Sequence, residues 1–183
     1  MANYQITTAC RICGSEQLTE VIWLAEQYLS PTFVETNEGN ALAQIKAPMT
    51  LLLCDRQKNP NGCGLLQLKE AVNKELLYTN YFYRSATSAT MREDLKEVVR
   101  DVEQHVRLAK SDYVVDIGAN DGTMLAYFPA TTRRVGIEPA KNIEWGHLDP
   151  SIKMVNDYFS QAALEKALPG EKIKVFTSCA MFY

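Results

Sequence analysis

The sequence predicts an α/β fold in which a parallel sheet follows a small cysteine-rich domain. Among the 183 residues, the first part holds four of the five cysteines within short strands and turns. The middle part places apolar residues at helical spacing, and the last part alternates strands with helices, which gives right-handed crossovers and a parallel sheet. The predicted divisions are a cysteine-rich domain at 1–68, a helical connector at 69–111 and a sheet domain at 112–183.

Each element of the sheet domain has its own sequence signal. Apolar runs predict four strands, at residues 114–117, 134–138, 152–155 and 173–177. A glycine turn opens one helix at 122–127, and a serine cap with a Pro-Gly stop delimits another at 160–168. In the doubly wound order the fourth strand lies beside the first, so we expect an apolar strand at the open edge of the sheet.

The connector carries one long helix. Its inner face repeats every three or four positions and consists of Leu95, Val98, Val99, Val102, Val106 and Ala109. Thr90 and Glu93 form a capping-box pair, in which each side chain satisfies the other residue's free backbone N–H. We therefore expect the helix to begin at Thr90.

The charge balance argues against a protein that binds polyanions. The chain has 19 Lys and Arg against 22 Asp and Glu, a formal net charge of −3, without a block of like charge. No apolar run approaches the roughly 18 residues that span a bilayer, and the N-terminus lacks the pattern of a secretory signal. We therefore expect a cytoplasmic protein that binds neither nucleic acid nor membranes, with reduced cysteines.

Four cysteines have the pattern of a metal site. Cys10 and Cys13 form a C-x-x-C pair, and Cys54 and Cys63 form a second pair across eight residues that include the turn sequence Asn-Pro-Asn-Gly. A glycine directly follows the second cysteine of each pair, which lets the turn fold over an ion. Four thiolates complete a tetrahedral zinc site, so the predicted zinc is structural, and Cys179 is left out. The alternative is a set of unconnected buried thiols.

A second motif, residues 116–123 (DIGANDGT), lies between the first strand of the sheet and its helix. A glycine-bearing turn at this place lets the backbone approach a nucleotide-like ligand. The dinucleotide pattern needs glycines where Asn120 and Thr123 stand, and the P-loop lysine is absent, which disfavours NAD, FAD and P-loop chemistry. Glu138 ends the next strand, where a carboxylate can accept both ribose hydroxyls. The combination favours S-adenosylmethionine (SAM), and the alternative is a plain sheet with a tight first turn.

Residues 114–122 (VVDIGANDG) and 135–139 (VGIEP) resemble the first two motifs of the class I methyltransferases, which have a Rossmann-like sheet. The four cysteines, residues 63–68 (CGLLQL) and 81–85 (YFYRS), and Met91 are similar to the zinc-binding sugar C-methyltransferases. The resemblance covers essentially the whole chain from Cys10 onward. It implies SAM-dependent methylation of a carbon atom in a nucleotide-linked deoxy-ketosugar.

The resemblance also implies roles for single residues. The glycines would let the backbone pass SAM, and Glu138 would hold the ribose. Asp116 would either orient their turn or meet the methionine amine. Two residues after the third strand would grip the adenine, and an aromatic-Ser segment would cover the cofactor. The implied cofactor-binding set is Tyr81, Ser85, Asp116, Gly118, Asn120, Gly122, Glu138, Asp157 and Phe159. As the alternative, Phe159 belongs to the core, and Tyr81 packs with Tyr78 and Tyr83 in an aromatic cluster without a ligand.

The sequence departs from this family in three places. The second cysteine pair is wider than usual, and residues 177–183 (TSCAMFY) lack the Asn and His that family members carry after the fourth strand. No catalytic base is therefore carried over, and Tyr83, His147 and Tyr183 remain candidates. The chain also stops where family members continue into an acceptor-binding part. We therefore expect it to lack sugar methylation by itself. We also expect a second copy, a partner chain or residues of a longer parent chain to cover its open sheet edge.

Two other functions fit the same residues. One is a non-catalytic SAM-binding module that pairs its sheet edge with another chain. The other is a zinc-ribbon interaction protein whose sheet holds no cofactor. Bound SAM would exclude the second, and activity of this chain alone would exclude the first.

Overall fold

The computed structural model describes residues 3–29 and 45–181. It divides into two compact units between Tyr78 and Thr79. The sequence-based domain boundaries at 68 and 111 stay predictions. None of the helices within the described ranges combines the length and the apolar character that a membrane crossing requires.

The first unit contains two small antiparallel sheets. Strands β2 (Leu18–Tyr28), β3 (Lys46–Cys54) and β4 (Leu66–Leu68) form a sheet in that order, while β1 (Tyr4–Ile6) pairs with β5 (Glu70–Val72), which precedes helix α1 (Lys74–Tyr78). Glu70 connects the two sheets, because its buried carboxylate accepts hydrogen bonds from the backbone N and the Oγ1 of Thr50 on β3, at 2.9 and 3.0 Å. Cys54 ends β3 and is fully buried.

The second unit is an α/β unit. After a short 3-10 helix (Ser85–Thr87), its elements are α2 (Ala89–His105), β6 (Tyr113–Ile117), α3 (Thr123–Tyr127), β7 (Arg133–Ile137), β8 (Ile152–Val155), α4 (Gln161–Ala167) and β9 (Ile173–Thr177). The four strands pair in parallel in the order β8-β7-β6-β9. The predicted α/β fold class is confirmed, and so is the position of the fourth predicted strand beside the first.

Both faces of this sheet are covered because neighbouring residues of a strand point to opposite sides. Val114 packs with Leu125 and Phe128 and with the buried side chains of α2. Val115 faces the other way and packs with Leu168 after α4. This double coverage explains why β6 reads as a continuous apolar run in the sequence.

The predicted start of the long helix is wrong. The helix α2 begins at Ala89 and is capped by Ser88, whose side chain accepts a hydrogen bond from the backbone N of Met91. Glu93 instead forms ion pairs along the helix with Lys96 and Arg100. The helix also ends at His105, so the last two members of the predicted apolar face, at 106 and 109, lie beyond it. The helical texture predicted from residue 69 begins only after strand β5.

Strand β9 forms one edge of the parallel sheet. Val175 is buried, whereas Phe176 is 48% exposed. The ring of Phe176 packs edge-to-face with that of Phe159, with 6.3 Å between the ring centroids. Within the described ranges, β9 pairs only with β6. The cover for this edge by a second copy or another chain stays a prediction.

Candidate functional site

The four predicted metal ligands come together in the first unit. The Sγ atoms of Cys10, Cys13, Cys54 and Cys63 all lie within 4.8 Å of one another. The Sγ atoms of Cys10 and Cys63 are 3.4 Å apart, and those of Cys13 and Cys54 are 3.6 Å apart. Zn–S bonds of about 2.3 Å in a tetrahedron place sulfur atoms about 3.8 Å apart, so this donor set fits zinc.

A tight turn presents the first two cysteines. The backbone N of Gly14 donates to the carbonyl of Cys10 at 2.9 Å, and the N of Cys10 donates to the carbonyl of Ser15 at 2.8 Å. Gly14 has a φ of 72°, a conformation that glycine adopts without strain. The turn therefore closes the C-x-x-C pair around a single point.

A compact loop brings the widely spaced second pair together. The backbone N of Asn59 donates to the carbonyl of Asp55, and the N of Gly62 donates to the carbonyl of Asn59. The guanidinium of Arg56 then donates to the carbonyls of Gly62 and Cys63, at 3.1 and 2.8 Å. These bonds fold the eight intervening residues into one turn, which removes the objection that the spacing raised.

The thiols of this cluster differ in acidity. The backbone N–H groups of Ser15 and Cys63 lower the pKa of Cys13 to about 6, and the N–H of Cys13 lowers that of Cys10. The N–H of Leu65 lowers the pKa of Cys63, but the neighbouring thiols and burial outweigh it and raise that pKa to about 11. The C-x-x-C turn therefore stabilises the thiolate form, which is the form that ligates metal.

Gln67 holds the C-x-x-C turn from β4. Its buried side chain accepts a hydrogen bond from the backbone N of Arg11 at 3.0 Å and donates one to the carbonyl of Ala9 at 3.3 Å. These two backbone groups flank Cys10. A single amide thus fixes the path of the chain on both sides of this cysteine.

Substituting Gln67 by Ala is expected to accelerate zinc loss without changing zinc stoichiometry. The change leaves two backbone groups of the turn unpaired. Mutation of groups that orient metal ligands typically lowers metal affinity about tenfold or more. Transfer of zinc to a chromogenic chelator measures the rate. Gln57→Ala, at an exposed position, is the matched control. Equal rates for the two variants would contradict this role.

Cys179 lies in the second unit, where its Sγ is 3.9 Å from the Sδ of Met124. It is absent from the thiol cluster, as the sequence predicts.

The glycine turn predicted to meet a cofactor follows β6. The backbone N of Gly118 donates to the carbonyl of Ile137 at 2.9 Å, and Gly118 and Gly122 have φ angles of 71° and 77°. A Cβ on Gly118 would lie 2.5 Å from the Sδ of Met181, and one on Gly122 would lie 2.5 Å from the Cδ1 of Leu148. The positive φ angles favour glycine at both positions, and the ends of the Met181 and Leu148 side chains lie against the two glycines.

Glu138 lies beside this turn, at the carboxyl end of β7. Its buried carboxylate accepts hydrogen bonds from the backbone N of Asn120 through Oε2 and from that of Ala140 through Oε1, both at 2.9 Å. A carboxylate offers about four acceptor positions, so two remain for a ligand. The residue fits a role in accepting the two hydroxyls of a ribose.

Asp116 lies deeper, near the end of β6. Its Oδ1 accepts a hydrogen bond from the Oγ1 of Thr177 on β9 at 2.9 Å. Burial, with a smaller contribution from the charge of Glu138, raises the pKa of Asp116 from its ordinary value of 3.8 to about 7. In the folded chain the carboxyl group of Asp116 therefore changes from protonated to charged near neutral pH.

Asp116 is expected to make stability fall as the pH rises from about 4 to about 7. In that interval the folded chain binds the carboxyl proton and the unfolded chain has released it. The free energy of unfolding therefore decreases as the pH rises. Urea unfolding at about pH 5.5 and about pH 8 should show that Asp116→Asn gains stability relative to wild type at the higher pH. The exposed Asp101→Asn is the control, and a constant difference for Asp116→Asn would contradict the prediction.

The aromatic-Ser segment lies against the same turn. The backbone N of Ser85 donates to the Oδ1 of Asn120 at 3.1 Å, and the side chain of Asn142 bonds both the N and the carbonyl of Tyr81, at 3.0 and 3.1 Å. Tyr81, Ser85, Asn120 and Glu138 thus belong to one continuous network in the second unit.

Among the described residues, the two predicted to grip the adenine have few contacts that would fix their side chains. Asp157 and Phe159 are exposed after β8, and the Oδ1 of Asp157 accepts a hydrogen bond from the backbone N of Tyr158 at 2.8 Å. Among the candidate bases, His147 is exposed and Tyr83 is half-buried, while Tyr183 lies outside the described residues. No base is assigned among them.

Three residues of this network escaped the sequence analysis. The indole Nε1 of Trp145 donates to the carbonyl of Asn120 at 2.9 Å, and the side chain of Asn156 donates to the carbonyls of Glu138 and Ala140. Asn142 is the third. No motif marks these residues, and only the position of Asn156 directly after a strand offers a signal.

Comparison with known proteins adds independent similarity. Residues 10–78 match a methyltransferase-related family described as "Putative zinc binding domain". Over 135 residues the chain is 25% identical to the C-methyltransferase NovU of Streptomyces niveus. The predicted resemblance to the C-methyltransferases with a zinc-binding domain is confirmed. The match covers 73% of this chain but only 30% of that relative, so the chain spans less than a third of the relative's length.

The match with the C-methyltransferase extends over parts of both units, because it is longer than either of them. The family match and the thiol cluster both support zinc in the first unit.

Proposed function

We propose that this chain supplies the zinc-binding and SAM-binding parts of a C-methyltransferase whose acceptor is a nucleotide-linked deoxy-ketosugar. One observation carries the proposal. In a chain similar to a C-methyltransferase over parts of both units, a buried carboxylate with free acceptor positions lies beside a turn with glycines at positive φ. SAM presents this combination of needs, since its ribose offers two hydroxyls and its methionine part requires close backbone approach.

The residues of this chain would bind and orient SAM. Glu138 would accept the ribose hydroxyls, and the turn from Gly118 to Gly122 would let the backbone lie against the cofactor. When bound, SAM would supply an electrophilic methyl group on a sulfonium. Carbon methylation also needs removal of a proton next to the acceptor's ketone, and no residue is assigned as that base.

Zinc would have a structural role. Four thiolates fill its tetrahedral coordination and leave no position for a substrate. The cluster joins the start of the chain to the end of β3 and the loop before β4, so it would stabilise the fold of the first unit.

Calorimetry with S-adenosylhomocysteine (SAH), the demethylated product, tests the proposal. We expect SAH to bind the chain and NADH to bind far more weakly, because the turn has Asn120 and Thr123 where dinucleotide sites have glycines. With methyl-labelled SAM and a nucleotide-linked ketosugar, we expect this chain alone to transfer no label. NADH binding in preference to SAH, or no binding of SAH, would contradict the proposal.

A further inference from the structure

Asn120 forms hydrogen bonds to several segments of the candidate cofactor site. It is buried, and its φ of 51° lies in the left-handed region, which Asn tolerates better than most residues. Its backbone N donates to Glu138 at 2.9 Å, and its carbonyl accepts from Trp145 at 2.9 Å. The backbone of Asn120 is therefore fixed against the carboxylate that would hold the ribose.

The side chain of Asn120 is directed to a different segment. Its Oδ1 accepts from the backbone N of Ser85 at 3.1 Å, and its Nδ2 donates to the carbonyl of Tyr83 at 3.0 Å. The neighbouring Asp121 accepts from the next backbone N, that of Ala86, at 2.8 Å. An amide is the side chain of this size that both donates and accepts, so Asn meets both backbone groups where Asp meets only one.

The far end of this segment is held separately. The guanidinium of Arg84 donates to the carbonyls of Tyr81, Tyr83 and Asn142, and Asn142 bonds the backbone of Tyr81 in return. Residues 81–86, which we call the aromatic-Ser wall, are thus attached at one end to the loop after β7 and at the other to the turn after β6.

We propose that Asn120 is a positioning residue that builds the aromatic-Ser wall before the cofactor binds. Its amide holds the wall, and its backbone holds Glu138, so one residue sets the distance between the two sides of the site. Preorganisation of this kind reduces the ordering cost of binding. The inference rests on the proposed SAM site, and it assigns the side chain of Asn120 to the wall instead of to direct contact with SAM.

Two substitutions separate this role from that of an ordinary turn residue. Asn120→Gly keeps the left-handed backbone accessible and removes the amide. Asn120→Asp keeps an acceptor for Ser85 but places a carboxylate oxygen against the carbonyl of Tyr83. A residue that only stabilised the turn would lower the unfolding temperature in these variants and leave the SAH affinity of the folded protein unchanged.

NMR hydrogen exchange and SAH titration of the folded chain supply the test. Without SAH, we expect the amide proton of Ser85 to exchange slowly in wild type and at least tenfold faster in Asn120→Gly, while the amides of β6 stay protected. SAH affinity should fall about tenfold in both variants, and saturating SAH should restore protection of Ser85. Asn142→Ala, at the other attachment, should loosen the wall from its far end and also weaken SAH binding.

Unchanged Ser85 exchange and unchanged SAH affinity in the folded Asn120→Gly and Asn142→Ala variants would overturn the inference. Absence of SAH binding to wild type would instead overturn the proposed function, and the two failures are therefore distinguishable. If an Asn120 variant does not fold, the Asn142 variant gives the same two measurements.

Discussion

Replacing Cys54 and Cys63 together by Ser is expected to abolish zinc binding and unfold much of the first unit. Both Sγ atoms belong to the four-thiol cluster, and hydroxyl groups do not replace thiolates as zinc ligands. Structural zinc in small domains contributes about 10–16 kcal/mol of apparent binding free energy, which is a large share of the stability of a unit with two small sheets and one short helix. In protein purified without added zinc, the zinc content measured by elemental analysis should fall from about one equivalent per chain to near none.

Cys179→Ser is the matched control for this experiment, because Cys179 is the one cysteine outside the cluster in the part of the chain that the structure describes. It should retain a full equivalent of zinc. Full zinc retention in the Cys54→Ser, Cys63→Ser protein would show that the cluster does not hold the metal.

The second large effect is expected at Glu138. Substitution by Ala removes the acceptor for two ribose hydroxyls and also releases the backbone N of Asn120 and of Ala140. Hydrogen bonds to a charged group contribute about 1.5–3 kcal/mol, so SAH binding should weaken by roughly 10- to 150-fold. Calorimetric titration measures the change.

Glu144→Ala is the control for Glu138, since Glu144 is an exposed carboxylate in the loop that follows β7. Glu138→Gln separates two contributions, because its amide oxygen can still accept one backbone bond but the side chain has lost its charge. If Glu138→Ala binds SAH as wild type does, the carboxylate has no part in holding the ribose.

Local sequence signals predicted most of the elements of the second unit. The run of buried residues in β6 and the Ser160 cap before α4 each act within a few positions, so the bounds of these elements follow closely from sequence. Ser88 and Thr90 show where such signals become ambiguous. Both are good capping residues two positions apart, and only the folded backbone decides that Ser88 accepts the hydrogen bond from Met91.

The residues that connect the site were not predictable in the same way. Trp145 bonds a carbonyl 25 positions away, and Asn142 bonds residue 81 across 61 positions. Such contacts depend on the order of strands in the sheet, not on local spacing. Gln67 is similar, since its partners lie 56 and 58 positions earlier, although it stands within the CGLLQL segment that the sequence analysis singled out.

We propose that the cofactor binds at the carboxyl ends of the parallel strands. The amino-terminal ends of the strands also have a pocket, of about 280 Å³, whose lining includes Arg133, Ser151 and Lys153. Hydrogen–deuterium exchange with and without SAH distinguishes the two ends directly. We predict that SAH protects residues 118–122 and 138–140 and leaves exchange at the amino-terminal ends unchanged. Protection confined to the pocket around Arg133 and Lys153, or no protection anywhere, would contradict the account.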